Sequence, residues 1–181
     1  AWLFDRLNQS DTVWNVLAQQ TVLANVDFQG AFTNFDQWDG YPLARERLID
    51  HLSTHGINNT VVLTGDIHSY GVATINETIA DTDSPILATE FICSSITSTP
   101  SNLMDLQELI DLTLPTVPQV LLFNVTQRGY LRCSITPERW LVDLRSVQTA
   151  LDPVSNIQTV ASFELKRGAT ELGPIRLDEP V

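Results

Sequence analysis

Residues 60–69 read Thr60-Val61-Val62-Leu63-Thr64-Gly65-Asp66-Ile67-His68-Ser69. The first half is an unbroken β-branched and apolar run, the pattern of a strand covered on both faces. It stops at Gly65-Asp66, where glycine allows a tight bend. Open α/β sheets collect their ligands outside the carboxyl ends of the strands, so this stretch predicts a central strand and a site at its end.

Working outward, Pro42, Leu43, Leu48, Ile49, Leu52 and Gly56 give an amphipathic helix with proline at its start and glycine at its end. Ser10-Asp11 reads as a cap, and Trp14, Leu17 and Ala18 recur at helical spacing, predicting a helix over 11–20. The run 21–26 (TVLANV) then predicts a strand. Residues 27–40 read as a loop, but Phe28, Phe32, Phe35 and Trp38 make it aromatic enough to plug a core or line a pocket. Further strands are expected over 70–75, 86–92, 119–125, 129–136, 139–147 and 159–166, with 129–147 as a hairpin about Thr136-Pro137-Glu138. Pro100-Ser101 opens a helix whose Leu103, Leu106, Leu109 and Ile110 share a face. The class is α/β: a short α/β start, then one mostly antiparallel sheet with flanking helices. Residues 1–167 form the domain and 168–181 an extended tail.

Composition narrows the partners. The 181 residues are 43% hydrophobic with 9 Pro and 8 Gly, which excludes a disordered or collagen-like chain. Ten Lys+Arg against 22 Asp+Glu leave a net charge of -12, which repels nucleic-acid phosphate and anionic membrane. An anionic substrate must therefore meet a local positive focus, an arginine or a metal ion. No run approaches the roughly 18 apolar residues of a membrane span. The two cysteines, Cys93 and Cys133, form no CxxC, which excludes a cysteine zinc site and leaves one disulfide open. Sequons begin at Asn8, Asn58, Asn76 and Asn124; with a single lysine, Lys166, they point to a secreted, periplasmic or extracellular glycoprotein. There is no P-loop, no G-x-G-x-x-G and no G-x-S-x-G elbow.

Two constellations carry chemistry. Asp66 and His68 present a hard oxygen and an imidazole nitrogen two residues apart, a pair that can converge on iron, manganese, zinc or a mixed metal pair. The other reading has Asp66 capping the turn and His68 as a half-buried histidine. In Asp36-Gln37-Trp38-Asp39-Gly40-Tyr41-Pro42 with Arg45, carboxylates, an indole, a phenol and a guanidinium can supply a metal ligand, a substrate wall and a phosphate clamp. The alternative is an aromatic loop stapled to the core, with Arg45 on the solvent face of the helix that follows. His51 and His55 lack the glutamate of H-E-x-x-H and read as helix-end histidines.

The stretches WNVLAQQ (14–20), DQWDGYPLARER (36–47), VVLTGDIHS (61–69), EFICSSITS (90–98) and QRGYLRCSITPERW (127–140) resemble, in order, the carboxyl-terminal half of the PhoD-like alkaline phosphatase/phosphodiesterase family. That resemblance implies a metallophosphatase α/β/β/α sandwich with an iron and calcium cluster, and hydrolysis of phosphate mono- or diesters by a metal-bound hydroxide. It assigns Asp66 and His68 to the metal, and Asp36, Trp38, Asp39, Tyr41 and Arg45 to the pocket, Arg45 as a phosphate contact. The family's upstream acidic motifs are not among these residues, and Ala1-Trp2-Leu3 opens within a helical pattern. The chain is therefore expected to need an amino-terminal half as its partner. The competing expectation is a non-catalytic secreted β-rich binding or structural module from the same family.

Overall fold

A computed structural model describes residues 2–26, 33–79, 81–98 and 103–177. The order of elements is α1 (Trp2–Asn8), β1 (Asn15–Ala18), α2 (Pro42–Thr54), β2 (Thr60–Thr64), β3 (Tyr70–Asn76), β4 (Ile86–Ile92), α3 (Leu103–Thr113), β5 (Val120–Asn124), β6 (Arg128–Ile135), β7 (Arg139–Val147), β8 (Ile157–Lys166) and β9 (Gly173–Leu177). The expectations about Phe28, Phe32, Pro100-Ser101 and the last four residues of the 168–181 tail lie outside the described residues.

The strands form two sheets where one had been expected. The first has the order β1-β2-β4-β3-β5 and the second β6-β7-β8-β9. In the first, β1, β2 and β4 run parallel and β3 lies antiparallel to both β4 and β5. The second is antiparallel throughout. Val61 and Val62 show why β2 is apolar on both faces: both are 0% exposed, and successive strand residues point opposite ways. Val62 belongs to the core shared with Leu48, Ile49 and Leu52 of α2 and Ile110 of α3. Val61 belongs to the core shared with Trp140 and Val142 of β7 and Phe163 of β8. The layers are thus helices, mixed sheet, antiparallel sheet. Burying each such side chain contributes about 1.5–3 kcal/mol.

Between the sheets, the Tyr70 hydroxyl donates to the Arg145 carbonyl at 2.7 Å. Gly129 makes room for it. A Cβ there would stand 1.9 Å from the Arg145 oxygen and 2.6 Å from the Tyr70 hydroxyl.

The helix expected over 11–20 is strand β1. Its residues pair in register with Thr60 to Leu63, and Trp14 Nε1 donates to the Thr136 carbonyl of the β6–β7 turn at 2.8 Å. Pairing and tertiary anchoring outweigh a weak helical spacing. The strand expected over 21–26 is buried but joins neither sheet. The backbone N–H groups of Val22, Leu23 and Ala24 go to side chains instead, as described below. Within the stretch expected as a tail, β9 pairs with β8 and widens the second sheet.

Candidate functional site

The corner after β2 is built from Gly65, Asp66, Ile67, His68 and Ser69. Ile67 N–H closes back on the Gly65 carbonyl at 2.8 Å, and Ser69 Oγ donates to the Ile67 carbonyl at 3.1 Å. Asp66 (φ 68°) and His68 (φ 55°) both have left-handed backbone. Asp and His tolerate this better than most residues, but each costs about 1–2 kcal/mol. Both side chains are exposed at the carboxyl end of the strand. Strain of this kind held outside glycine marks sites where geometry matters more than stability.

The corner is held from two sides. On one, Gln37 Nε2 donates to Asp66 Oδ2 at 2.6 Å while Gln37 Oε1 accepts the Val22 N–H at 2.6 Å. On the other, Ser94 Oγ lies 3.4 Å from the His68 carbonyl and donates to the Gln127 carbonyl at 2.7 Å. Arg128, 4% exposed, places Nη1 on the carbonyls of Gln127 at 2.6 Å and Val125 at 2.9 Å.

Beneath the corner lies Glu90 of β4, 0% exposed. Its carboxylate accepts the N–H groups of Leu23 at 3.0 Å and Ala24 at 2.7 Å, and the hydroxyl of Thr64. Burial pushes its pKa up against these bonds and the nearby Arg45 charge. Neither Gln37 nor Glu90 was singled out from sequence. A signal existed for Glu90, a lone acid inside the apolar run Ile86–Ile92.

The second constellation divides. Trp38 and Tyr41, with Gln19, Gln20, Thr21 and Ala44, line an open cleft of about 380 Å³. The cleft adjoins the corner, since Gln20 accepts the Gly65 N–H at 3.2 Å and Trp38 Nε1 is fixed by Gln19 at 2.8 Å. Asp39 and Arg45 pair with each other at 2.6 Å, their side chains 10% and 8% exposed. Arg45 Nη1 also reaches the Leu23 carbonyl at 3.5 Å. Arg45 is therefore not on the solvent face of α2; it braces the 22–24 segment from inside. Asp36 is exposed, and its backbone N–H donates to Asn34 Oδ1 at 3.0 Å.

Cys93 and Cys133 are free thiols and form no disulfide. Burial raises the pKa of each. Of the sequon residues, Asn8 and Asn58 are exposed, and Asn124 Oδ1 accepts the Gln127 N–H at 2.8 Å. Asn76 is 5% exposed and donates Nδ2 to the Ser84 carbonyl at 2.9 Å, which commits its amide nitrogen inside the fold. No helix among the described residues is long and apolar enough to cross a membrane. Among the same residues no group of three or more His, Cys, Asp or Glu is placed to hold a metal ion.

The layered α/β chain carries an aspartate and a histidine on a strained corner beside an aromatic cleft, and comparison with known proteins specifies its family. The profile of the PhoD-like phosphatases matches residues 1–144, so the chain belongs to that family. It is 38% identical over 174 residues to alkaline phosphatase D of Bacillus subtilis (strain 168), an alignment covering 94% of this chain and 30% of that protein. A solved structure described as that of PhoD superposes with a TM-score of 0.81 at 33% identity, covering 97% of this chain and 34% of the other. The chain thus spans about a third of the length of these relatives.

Proposed function

We propose that the chain supplies part of a metal-dependent phosphoesterase centre, with Asp66 and His68 as cation ligands and phosphate mono- or diesters as substrates. The observation carrying this reading is an exposed carboxylate and an exposed imidazole on left-handed backbone at the carboxyl end of β2. The donor set fits the iron and calcium that the family resemblance implies, since carboxylate oxygen suits both and imidazole nitrogen suits iron. A cation held there supplies a lowered pKa for a coordinated water and neutralises charge on the phosphoryl oxygens.

The chain's own residues shape what surrounds that chemistry. Trp38 and Tyr41 offer a wall for the organic part of the ester, and the Asp39–Arg45 pair holds the turn that carries Trp38. Further ligands, and the second helical layer of an α/β/β/α sandwich, come in this reading from the part of the relatives that the chain does not span. Exposed Asn8 and Asn58 support a secreted or extracellular location, tested by peptide mapping for glycans.

In the natural protein at full length, Asp66→Ala and His68→Ala are expected to lose bound metal, read by elemental analysis, together with turnover of a phosphate monoester and a diester. Wild-type metal content and rate in both variants would overturn the proposal.

A further inference from the structure

We infer that Gln37 is the positioning residue for the Asp66 carboxylate, holding it in one orientation toward a divalent cation; this rests on the reading of Asp66 and His68 as cation ligands. Gln37 is 3% exposed, and the two ends of its amide have different partners. The Val22 N–H at 2.6 Å requires an oxygen, so Oε1 must face it. Nε2 is thereby turned to Asp66 Oδ2 at 2.6 Å, and the amide cannot flip without leaving a buried N–H unpaired.

Asp66 is exposed and water could satisfy it. A buried amide reaching out to an exposed carboxylate therefore orients that group instead of compensating its burial. The orientation is rigid because the bonds close into a ring. Val22 receives the Trp38 N–H on its carbonyl at 3.1 Å; Leu23 and Ala24 donate to Glu90; Glu90 also accepts the hydroxyl of Thr64, two residues before Asp66. Through Val22, Glu90 and Thr64 the path from the Gln37 side chain returns to the same corner. Groups that hold a ligand's orientation in this way are worth roughly 10–100-fold in metal affinity.

The test uses Zn²⁺ alone as probe on the natural protein at full length, with affinity from titration calorimetry and fold from circular dichroism. Gln37→Met is expected to bind Zn²⁺ roughly 10–100-fold more weakly while remaining folded. Asp66→Ala is expected to weaken binding too, and the double variant no further than Asp66→Ala alone. Wild-type affinity in folded Gln37→Met, with Asp66→Ala weakened, overturns the positioning role and leaves the site reading intact. Unchanged affinity in Asp66→Ala overturns the site reading itself. Should Gln37→Met fail to fold, the side-chain amide resonances of Gln37 in wild-type protein decide: they are expected to shift on Zn²⁺ addition and to stay fixed in Asp66→Ala. Resonances unmoved at saturating Zn²⁺ overturn the inference.

Discussion

The carboxylate of Glu90 receives the backbone N–H of Ala24 at 2.7 Å across 66 positions of sequence. Through this contact a segment that belongs to no sheet is fastened under the corner that carries Asp66 and His68. Replacing Glu90 by Ala leaves two backbone donors and the Thr64 hydroxyl without their acceptor, and each orphaned donor costs about 1–3 kcal/mol. Glu90→Ala is expected to lower the urea midpoint sharply, while Glu90→Gln, which keeps one acceptor, loses less.

Glu90 also shapes the dependence of stability on pH. Burial raises its folded pKa above the ordinary value of 4.5, so the folded state holds the proton more tightly than the unfolded state. Its contribution is therefore present below about pH 4.5 and lost as pH rises through the folded value. Comparing urea midpoints of wild type and Glu90→Gln from pH 4 upward should show the wild type falling relative to the variant. A constant difference would mean that the burial penalty is fully offset by the bonds from Leu23, Ala24 and Thr64.

Asp143 should behave in the opposite sense. Burial pushes its pKa up, but the Ser162 hydroxyl at 2.6 Å and the Arg132 guanidinium at 2.5 Å outweigh that and leave it below the ordinary 3.8. Its contribution is present above pH 3.8 and disappears as pH falls through the lowered value. Asp143→Asn is expected to flatten the acid limb of the stability curve. Arg132→Ala should do less, about 0–1 kcal/mol, because that side chain is 55% exposed.

Gly129 is expected to tolerate no side chain. An added methyl meets the Arg145 carbonyl at 1.9 Å, a backbone atom that cannot move without breaking the β6–β7 pairing. Gly129→Ala should cost about 1–3 kcal/mol or more by overpacking, read as a lowered thermal midpoint. Tyr70→Phe, which removes only the bond to Arg145, should cost about 1 kcal/mol.

The corner residues invite the reverse experiment. His68→Gly removes left-handed strain and is expected to raise stability by roughly 1 kcal/mol while weakening cation binding, whereas Asp66→Gly also takes the acceptor from the buried Gln37 Nε2 and gains nothing. Calorimetric unfolding and Zn²⁺ titration of the same samples would show the two effects together. A His68→Gly variant that loses both stability and binding would show that the corner is not strained.

Local patterns carried the sequence reading where it succeeded. Helix α2 follows from its proline, its apolar face and Gly56; β2 follows from its unbroken β-branched and apolar run and β4 from an apolar run broken by Thr89 and Glu90; the β6–β7 hairpin follows from alternation about its turn. The reading failed where long-range partners decide. Asn15–Ala18 looked helical because Trp14, Leu17 and Ala18 fit that spacing, yet the segment pairs with β2. Arg45 reads either as a phosphate clamp or as a solvent-facing helix residue, and the solvent face is excluded because it is buried against Asp39 and the Leu23 carbonyl. Gln37 carried no local signal at all, since nothing about a glutamine in a polar loop foretells that Val22 and Asp66 will meet at its two ends.

The sequence by itself determined the class, the central strand and the placing of Asp66 and His68 at its end, because apolar periodicity and turn chemistry act over a few residues. Only the tertiary structure decided that there are two sheets, that Glu90 and Gln37 lock the corner, and that Cys93 and Cys133 are free thiols. Those outcomes depend on which buried donors and acceptors meet across distant stretches of chain, and every buried polar group must find its partner wherever the fold brings one.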